Sequence, residues 1–180
     1  GVAALRLAME IGDVVRAPLS DLVARTPDDS WYYLSVARNV AAGRGASFDG
    51  HEPTNGFHPL WQLVEAALAE VWTGTALVRG ALVTALVVTA LGVALWALVL
   101  RRTTGCSVLA IGVAAVVATS PPVLALIGDG METPVVLLGS AALAWALERW
   151  WRHPEVRSAA LVGVMSGALV LARTSALVVI

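Results

Sequence analysis

Long apolar stretches fill the second half of the chain and are separated by short polar segments. The clearest stretch, Gly80 to Leu100, contains no charged residue and ends at Arg101 and Arg102. About 20 consecutive apolar residues suffice for a helix to cross the ~30 Å hydrocarbon core of a bilayer. The pattern therefore predicts a transmembrane helix over Gly80 to Leu100.

The next apolar segment, Thr103 to Gly128, is also uncharged but carries Pro121 and Pro122. Proline removes an amide donor and clashes with the preceding turn, so we expect the helix to end or bend near Ser120. Two further spans are predicted, Thr133 to Leu147 and a segment from Ser158 onward that Arg173 interrupts.

The placement of arginine predicts how these spans are oriented. Arginines cluster in alternate loops, at Arg101, Arg102, Arg149, Arg152 and Arg157, while the loop between them holds only Asp129 and Glu132. Positively charged loops tend to remain in the cytoplasm. We therefore expect the polar region 26–79 to be the first extracytoplasmic loop.

Two amphipathic segments within this polar region predict separate helices, Trp31 to Ala42 and His58 to Trp72. Each has an apolar face and a polar face, as expected of helices that lie on the membrane surface. Residues 1–25 carry charges too closely spaced for a span, so they predict a truncated first helix or an interfacial helix.

The predicted fold is all-α, a multi-span integral membrane helical bundle with interfacial juxtamembrane helices in the first extracytoplasmic loop. Residues 80–180 supply about four transmembrane helices, and residues 1–180 form a single membrane domain. The chain begins with Gly1 and ends within an apolar run, which indicates a fragment.

Composition agrees with a membrane location. Hydrophobic residues make up 58% of the 180 residues and charged residues 14%, with a mean hydropathy of +0.77. All 12 basic residues are arginine, and the net charge is -1, so nucleic acid is not an expected partner. The single cysteine, Cys106, excludes an internal disulfide.

Two adjacent carboxylates, Asp28 and Asp29, precede the first predicted interfacial helix. Aspartate is a preferred N-cap residue, and a second carboxylate gains from the helix dipole. Unusual clusters of polar groups also occur at functional sites. Helix capping and a catalytic role both remain open on the sequence alone.

Five short blocks carry a family resemblance between about Pro27 and Ser175. In order they read "DDSWYYLSVARN", "GRGASFDG", "TNGFHPLW", "GDGMET" and "LART". This series resembles the N-terminal region of bacterial membrane glycosyltransferases of the GT-C superfamily. That group includes dolichyl-phosphate-mannose protein mannosyltransferases and lipid-A aminoarabinose transferases.

The resemblance implies an inverting transfer of a sugar from a polyprenyl-phosphate donor. The acceptor would be a lipid, glycan or protein on the outer face of a bacterial-type plasma membrane. Asp28 or Asp29 would act as the base that takes the acceptor hydroxyl proton. No cofactor is expected, although a divalent metal assists some relatives.

Other polar residues are candidates for binding the donor phosphate or sugar. Arg173 is the leading candidate for the phosphate, because a guanidinium stabilises developing negative charge; a guanidinium that reaches lipid headgroups is the alternative. Arg38 could serve instead, or could bind lipid phosphate. Glu132 either binds sugar or caps a helix, and capping is the favoured interpretation. The segment "HEPTNGFH" predicts a turn rather than a metal site, with His58 as a possible sugar or phosphate contact.

Two alternatives to an enzyme remain. A secondary transporter also has broken helices and charged residues within the membrane, but such folds usually contain a repeated half, and none is visible here. A non-catalytic membrane scaffold protein would have no use for paired aspartates. Replacing each aspartate by asparagine would separate these functions.

Overall fold

The computed structural model describes residues 2–175, which form an all-helical chain. The helices are α1 (Val2–Arg16), α2 (Leu19–Arg25), α3 (Asp28–Ala41), α4 (Pro59–Ala69), α5 (Gly74–Thr104), α6 (Ser107–Thr119), α7 (Pro121–Ile127), α8 (Thr133–Arg152) and α9 (Val156–Ala172). Within the described range, extended pairing is limited to a bridge between Ser47 and Pro53.

The central element is α5, which packs against α1, α6 and α8, while α8 packs in turn against α9. A Cβ added to Gly92 on α5 would lie 3.1 Å from the backbone nitrogen of Leu138 on α8. The missing side chain therefore allows these two helices to approach closely. At its far end α5 stops at Gly105, which adopts a left-handed φ of 71°.

Only α5 among the described helices is long and apolar enough, by length and composition, to cross a membrane. It contains 31 residues and extends beyond the predicted Gly80 to Leu100 at both ends. The helices α6 and α9 are apolar but shorter. The predicted break at Pro121 and Pro122 is confirmed, since α6 ends at Thr119 and α7 begins at Pro121.

Two separate helices occupy the polar region, as predicted, with shifted boundaries. The first begins at Asp28, so both aspartates belong to its first turn, and the second is Pro59–Ala69 rather than His58 to Trp72. Its 11 residues rise about 16 Å, roughly half the thickness of a bilayer core. The helix α4 is therefore too short for a full span, and it packs mainly on α3.

Candidate functional site

A buried carboxylate, Glu132, lies where α3, α4, α8 and α9 meet. Its Oε1 is 3.5 Å from Nε2 of His58 and 3.5 Å from Nη1 of Arg173. Its Oε2 is 3.4 Å from the hydroxyl of Tyr33. We call these four residues the Glu132 cluster.

The favoured interpretation of Glu132 as a helix cap is wrong. Glu132 does stand at the position before α8, but its side chain makes no hydrogen bond to the first turn of that helix. The carboxylate turns instead towards Tyr33 on α3, His58 in the loop before α4 and Arg173 just after α9. A cap motif is local in sequence, whereas these partners are distant in sequence.

Arg173 reaches the cluster because α9 ends one residue before it. The helix ends at Ala172, and Arg173 is extended, with φ -161° and ψ 120°. The predicted fourth span therefore stops at this arginine, and the rest of that prediction, residues 176–180, lies outside the described residues. The Arg173 side chain is 51% exposed, while that of Glu132 is only 3% exposed. The guanidinium thus contacts a buried carboxylate and is also exposed to solvent.

His58 and Tyr33 extend the network towards the polar region. His58 occupies the N-cap position of α4, and Pro59 follows as its first residue. The backbone N–H of His58 donates to the Tyr33 hydroxyl at 2.8 Å, and that hydroxyl faces Glu132. Burial raises the pKa of Tyr33 above its usual value. The tyrosine therefore stays protonated and can donate to the carboxylate.

The loop 129–132 is fastened to both helices of the polar region. The Ser30 hydroxyl donates to the carbonyl of Asp129 at 2.6 Å, and the Trp61 indole Nε1 donates to the carbonyl of Gly130 at 2.8 Å. Gly130 has a φ of 83°, and an added Cβ would lie 3.3 Å from Leu82. These contacts fix the start of α8, and with it Glu132, against α3 and α4.

Asp129 is the first residue of this loop, and its side chain does not contact the Glu132 cluster. Its carboxylate accepts the N–H of Met131 at 2.9 Å, which closes the turn. Partial burial is the largest effect on the group and raises the pKa of Asp129, and the negative charge of Glu132 raises it further. The two acidic residues of the "GDGMET" block therefore have different roles, because Asp129 shapes the turn and Glu132 faces the cluster.

Asp28 and Asp29 are both exposed in the first turn of α3. The N-cap position is held by Pro27, which has no side-chain cap bond, so neither aspartate takes the N-cap position that the capping interpretation requires. Within residues 2–175 neither carboxylate forms an ion pair or hydrogen bond. The helix dipole still favours negative charge at this end.

Helix geometry separates the two aspartates. A residue advances about 100° around the helix axis, so Asp29 lies about 40° from Tyr33 and one turn before it. Asp28 lies about 140° from Tyr33, on the other side of the helix. Asp29 therefore shares the face of α3 that leads to the Glu132 cluster. The hydrogen bond from Ser30 to Asp129 places this end of α3 beside the same loop.

Arg38 lies apart from the cluster. It is exposed, it is about 140° from Tyr33 around α3, and it lines a separate cavity with Asn39, Arg44 and Asp49. Of the predicted phosphate- or sugar-binding residues, the structure brings together Arg173, Glu132 and His58 and leaves Arg38 elsewhere.

Sequence analysis missed the buried carboxylate of Glu65 on α4. The residue is fully buried, and neither oxygen has a hydrogen-bond partner among the described residues. Burial raises the pKa of Glu65 well above its usual value, and the neighbouring Trp61 indole lowers it by less. The indole proton itself points to Gly130. In the sequence Glu65 lies on the polar face of the amphipathic segment His58 to Trp72, and this pattern gives no signal that the residue is buried.

Comparison with known proteins adds no assignment, since no family model, curated protein or solved structure matches this chain. Among the described residues no group of three or more His, Cys, Asp or Glu side chains is placed to hold a metal ion. Functional inference therefore depends on the geometry of the Glu132 cluster and on the sequence motifs.

Proposed function

We propose that this chain belongs to an integral membrane glycosyltransferase that moves a sugar from a polyprenyl-phosphate donor to an extracytoplasmic acceptor. The observation that carries the proposal is the half-exposed guanidinium of Arg173 held beside the buried carboxylate of Glu132. Asp29 stands one helical turn from Tyr33 at the same end of the bundle. A positioned cation and a nearby carboxylate are what displacement of a phosphate by a hydroxyl requires.

Arg173 is the proposed binding group for the donor phosphate. Glu132 lies 3.5 Å from Nη1, and the half-exposed planar guanidinium has further donors that can reach phosphate oxygens. The contact of 3.5 Å is longer than a strong charge-assisted hydrogen bond, so Glu132 orients the arginine without forming a tight pair with it. As the sugar–phosphate bond breaks, this charge stabilises the leaving phosphate.

Asp29 is the proposed base, in preference to Asp28, because it lies on the face of α3 that leads to Tyr33. The acceptor oxygen attacks the anomeric carbon, its proton passes to the Asp29 carboxylate, and the bond to the phosphate oxygen breaks. The electron pair leaves with polyprenyl phosphate. A single displacement of this kind inverts the anomeric carbon, as the resemblance to the GT-C superfamily implies.

The proposed membrane arrangement places the Glu132 cluster at the outer face, with α8, α9 and the α6–α7 segment joining α5 in a multi-span bundle. Support comes from the opposite end of the bundle, where Arg152 at the end of α8 donates to the carbonyl of Arg102 at the end of α5. Glu132 stands at the other end of α8. The arginine-rich end and the cluster are therefore separated by the length of these helices, and arginine-rich ends tend to be cytoplasmic.

The test uses the intact protein in liposomes with labelled polyprenyl-phosphate sugars and their nucleotide-sugar counterparts. We expect transfer only from the lipid donor, and we expect Arg173→Ala to lower kcat/KM for that donor by at least about tenfold, or ~1.4 kcal/mol. Arg157→Ala is the matched control, because this exposed arginine lies at the start of α9, away from the cluster. Transfer from nucleotide sugars, or equal effects of both substitutions, would contradict the proposal. Solute uptake without a glycosylated product would favour a transporter.

A further inference from the structure

A polar cavity of about 390 Å³ lies between α3 and the loop that follows it. Its walls include Arg38, Asn39, Arg44, Phe48 and Asp49. None of these residues belongs to the Glu132 cluster. Its volume is within the range of about 300–1,000 Å³ found for small-molecule sites.

Arg44 is oriented in this cavity by a neutral side chain. Asn39 is buried, and its Nδ2 donates to the carbonyls of Ser47 at 2.7 Å and Phe48 at 3.0 Å. Its Oδ1 accepts from Nε of Arg44 at 3.0 Å and from Nη2 at 2.6 Å. The amide thus fixes the guanidinium and leaves its positive charge uncompensated.

Asp49, the carboxylate in the wall of the cavity, accepts hydrogen bonds from residues of its own turn. Its Oδ1 accepts from the Ser47 hydroxyl at 3.0 Å and from the N–H groups of His51 at 2.8 Å and Glu52 at 3.0 Å. The two backbone N–H bonds are the largest effects and lower the pKa of Asp49 to about 2. Within residues 2–175 neither Arg38 nor Arg44 forms an ion pair, so two guanidinium groups face the cavity with one carboxylate.

Phe48 gives the cavity an aromatic surface. Its ring stacks on that of Tyr32, with centroids 5.5 Å apart and planes inclined by 12°. Phe48 nevertheless remains 54% exposed. Tyr32 is held from behind by a hydrogen bond between its hydroxyl and that of Thr54. A supported and exposed ring is a flat apolar surface on which the C–H face of a sugar can pack.

We infer that this cavity binds a negatively charged sugar residue of the acceptor, and this identification of the ligand rests on the proposed glycosyltransferase function. The sugar ring packs on Phe48, and its carboxylate or phosphate meets Arg38 and Arg44. A concave pocket with a fixed guanidinium and an aromatic wall suits one sugar residue better than the mobile headgroups of a lipid surface. The enzyme would thus select acidic acceptors.

Direct binding tests this inference without any donor. The intact protein in nanodiscs of zwitterionic lipid is titrated by calorimetry with trigalacturonic acid, its fully methyl-esterified form and glucose 1-phosphate. We expect the acids to bind and the ester, which keeps the same sugar rings but has a neutral methyl ester at each carboxylate, to bind at least about tenfold more weakly. Arg38→Gln should weaken binding of the acids, since only Arg44 then meets the anion, and leave binding of the ester unchanged, whereas Phe48→Ala should weaken both. Arg38 is exposed and has no described structural bond, so its replacement spares the fold, and Arg101→Gln at the far end of α5 is the matched control.

The outcomes separate this inference from the proposed function. Failure of both acids to bind, or equal binding of the ester, would overturn the acidic-sugar site while leaving transfer untouched. Loss of acid binding to the wild type on adding phosphatidylglycerol to the nanodiscs, at a salt concentration that screens repulsion by the bilayer, would identify a headgroup contact and also overturn it. Acid binding that depends on Arg38 in a protein without transferase activity would contradict the proposed function alone.

Discussion

Trp61→Phe tests whether the docking of α4 on the loop before α8 stabilises the site. Trp61 is fully buried, and its indole donates to the carbonyl of Gly130, which is also buried. Phenylalanine keeps an apolar ring but removes both the donor and part of the buried volume. The substitution therefore separates this one tertiary contact from the general hydrophobicity of α4.

The expected loss of stability has two parts. An orphaned buried carbonyl costs about 1–3 kcal/mol, and the space left by the smaller ring adds about 1 kcal/mol. We expect Trp61→Phe to lower the free energy of unfolding by about 2–4 kcal/mol. Trp96→Phe is the matched control, because the Trp96 indole is partly exposed and makes a longer bond of 3.3 Å to the Ser140 hydroxyl.

The assay is unfolding of the purified protein in mixed micelles with increasing sodium dodecyl sulfate, followed by far-ultraviolet circular dichroism. Trp61→Phe should unfold at a clearly lower detergent fraction than Trp96→Phe, which should lose about 1 kcal/mol or less. Equal midpoints for the two variants would refute the reasoning, because the bond to Gly130 would then contribute no more than a peripheral one.

Two further substitutions test the same region. Gly130→Ala should lower the free energy of unfolding by about 1–2 kcal/mol, because its φ is 83° and the new Cβ would crowd Leu82. The control, Gly163→Ala, places its new methyl group in open space on α9 and should be neutral or stabilising. Equal losses of stability in the two variants would contradict this expectation. Glu65→Gln should gain stability relative to the wild type as the pH rises. Above its usual pKa of 4.5 Glu65 ionises in the unfolded wild type, while burial raises the pKa of the folded carboxyl and disfavours its ionisation. Rising pH therefore favours unfolding of the wild type, and the glutamine variant does not share this loss. Denaturation of Glu65→Gln and wild type from pH 4 to pH 8 measures this difference, and a constant gap would refute it.

Local sequence signals predicted where helices form, but they did not predict which distant residues those helices contact. Pro121 breaks the chain at the expected residue because a missing amide acts within one turn. The apolar run of α5 was recognised, but its ends were placed inside the observed helix, since Arg79 lies within the helix and reaches the carbonyl of Ala17. A charged residue near a span end carries no local information about such a distant partner.

The cluster was predicted only in part for the same reason. Arg173 and Glu132 are separate candidates in the sequence, and the structure brings them to 3.5 Å from each other. The role of Tyr33 was missed, because an aromatic residue on a surface helix resembles a membrane anchor in sequence. Its buried contact with Glu132 depends on a pairing across 99 residues. Only the fold brings these residues together.

The contrast between Asp29→Asn and Asp28→Asn tests the central claim most directly. Each variant of the intact protein is assayed for sugar transfer from a polyprenyl-phosphate donor, with kcat and KM determined separately. Loss of a general base lowers turnover by about 10²–10⁴-fold, so Asp29→Asn should reduce kcat by at least about 100-fold with little change in KM. Asp28→Asn removes the same charge from the same helix end but points away from Tyr33, and should remain close to wild type. Undiminished turnover in Asp29→Asn, or a loss confined to Asp28→Asn, would contradict the account.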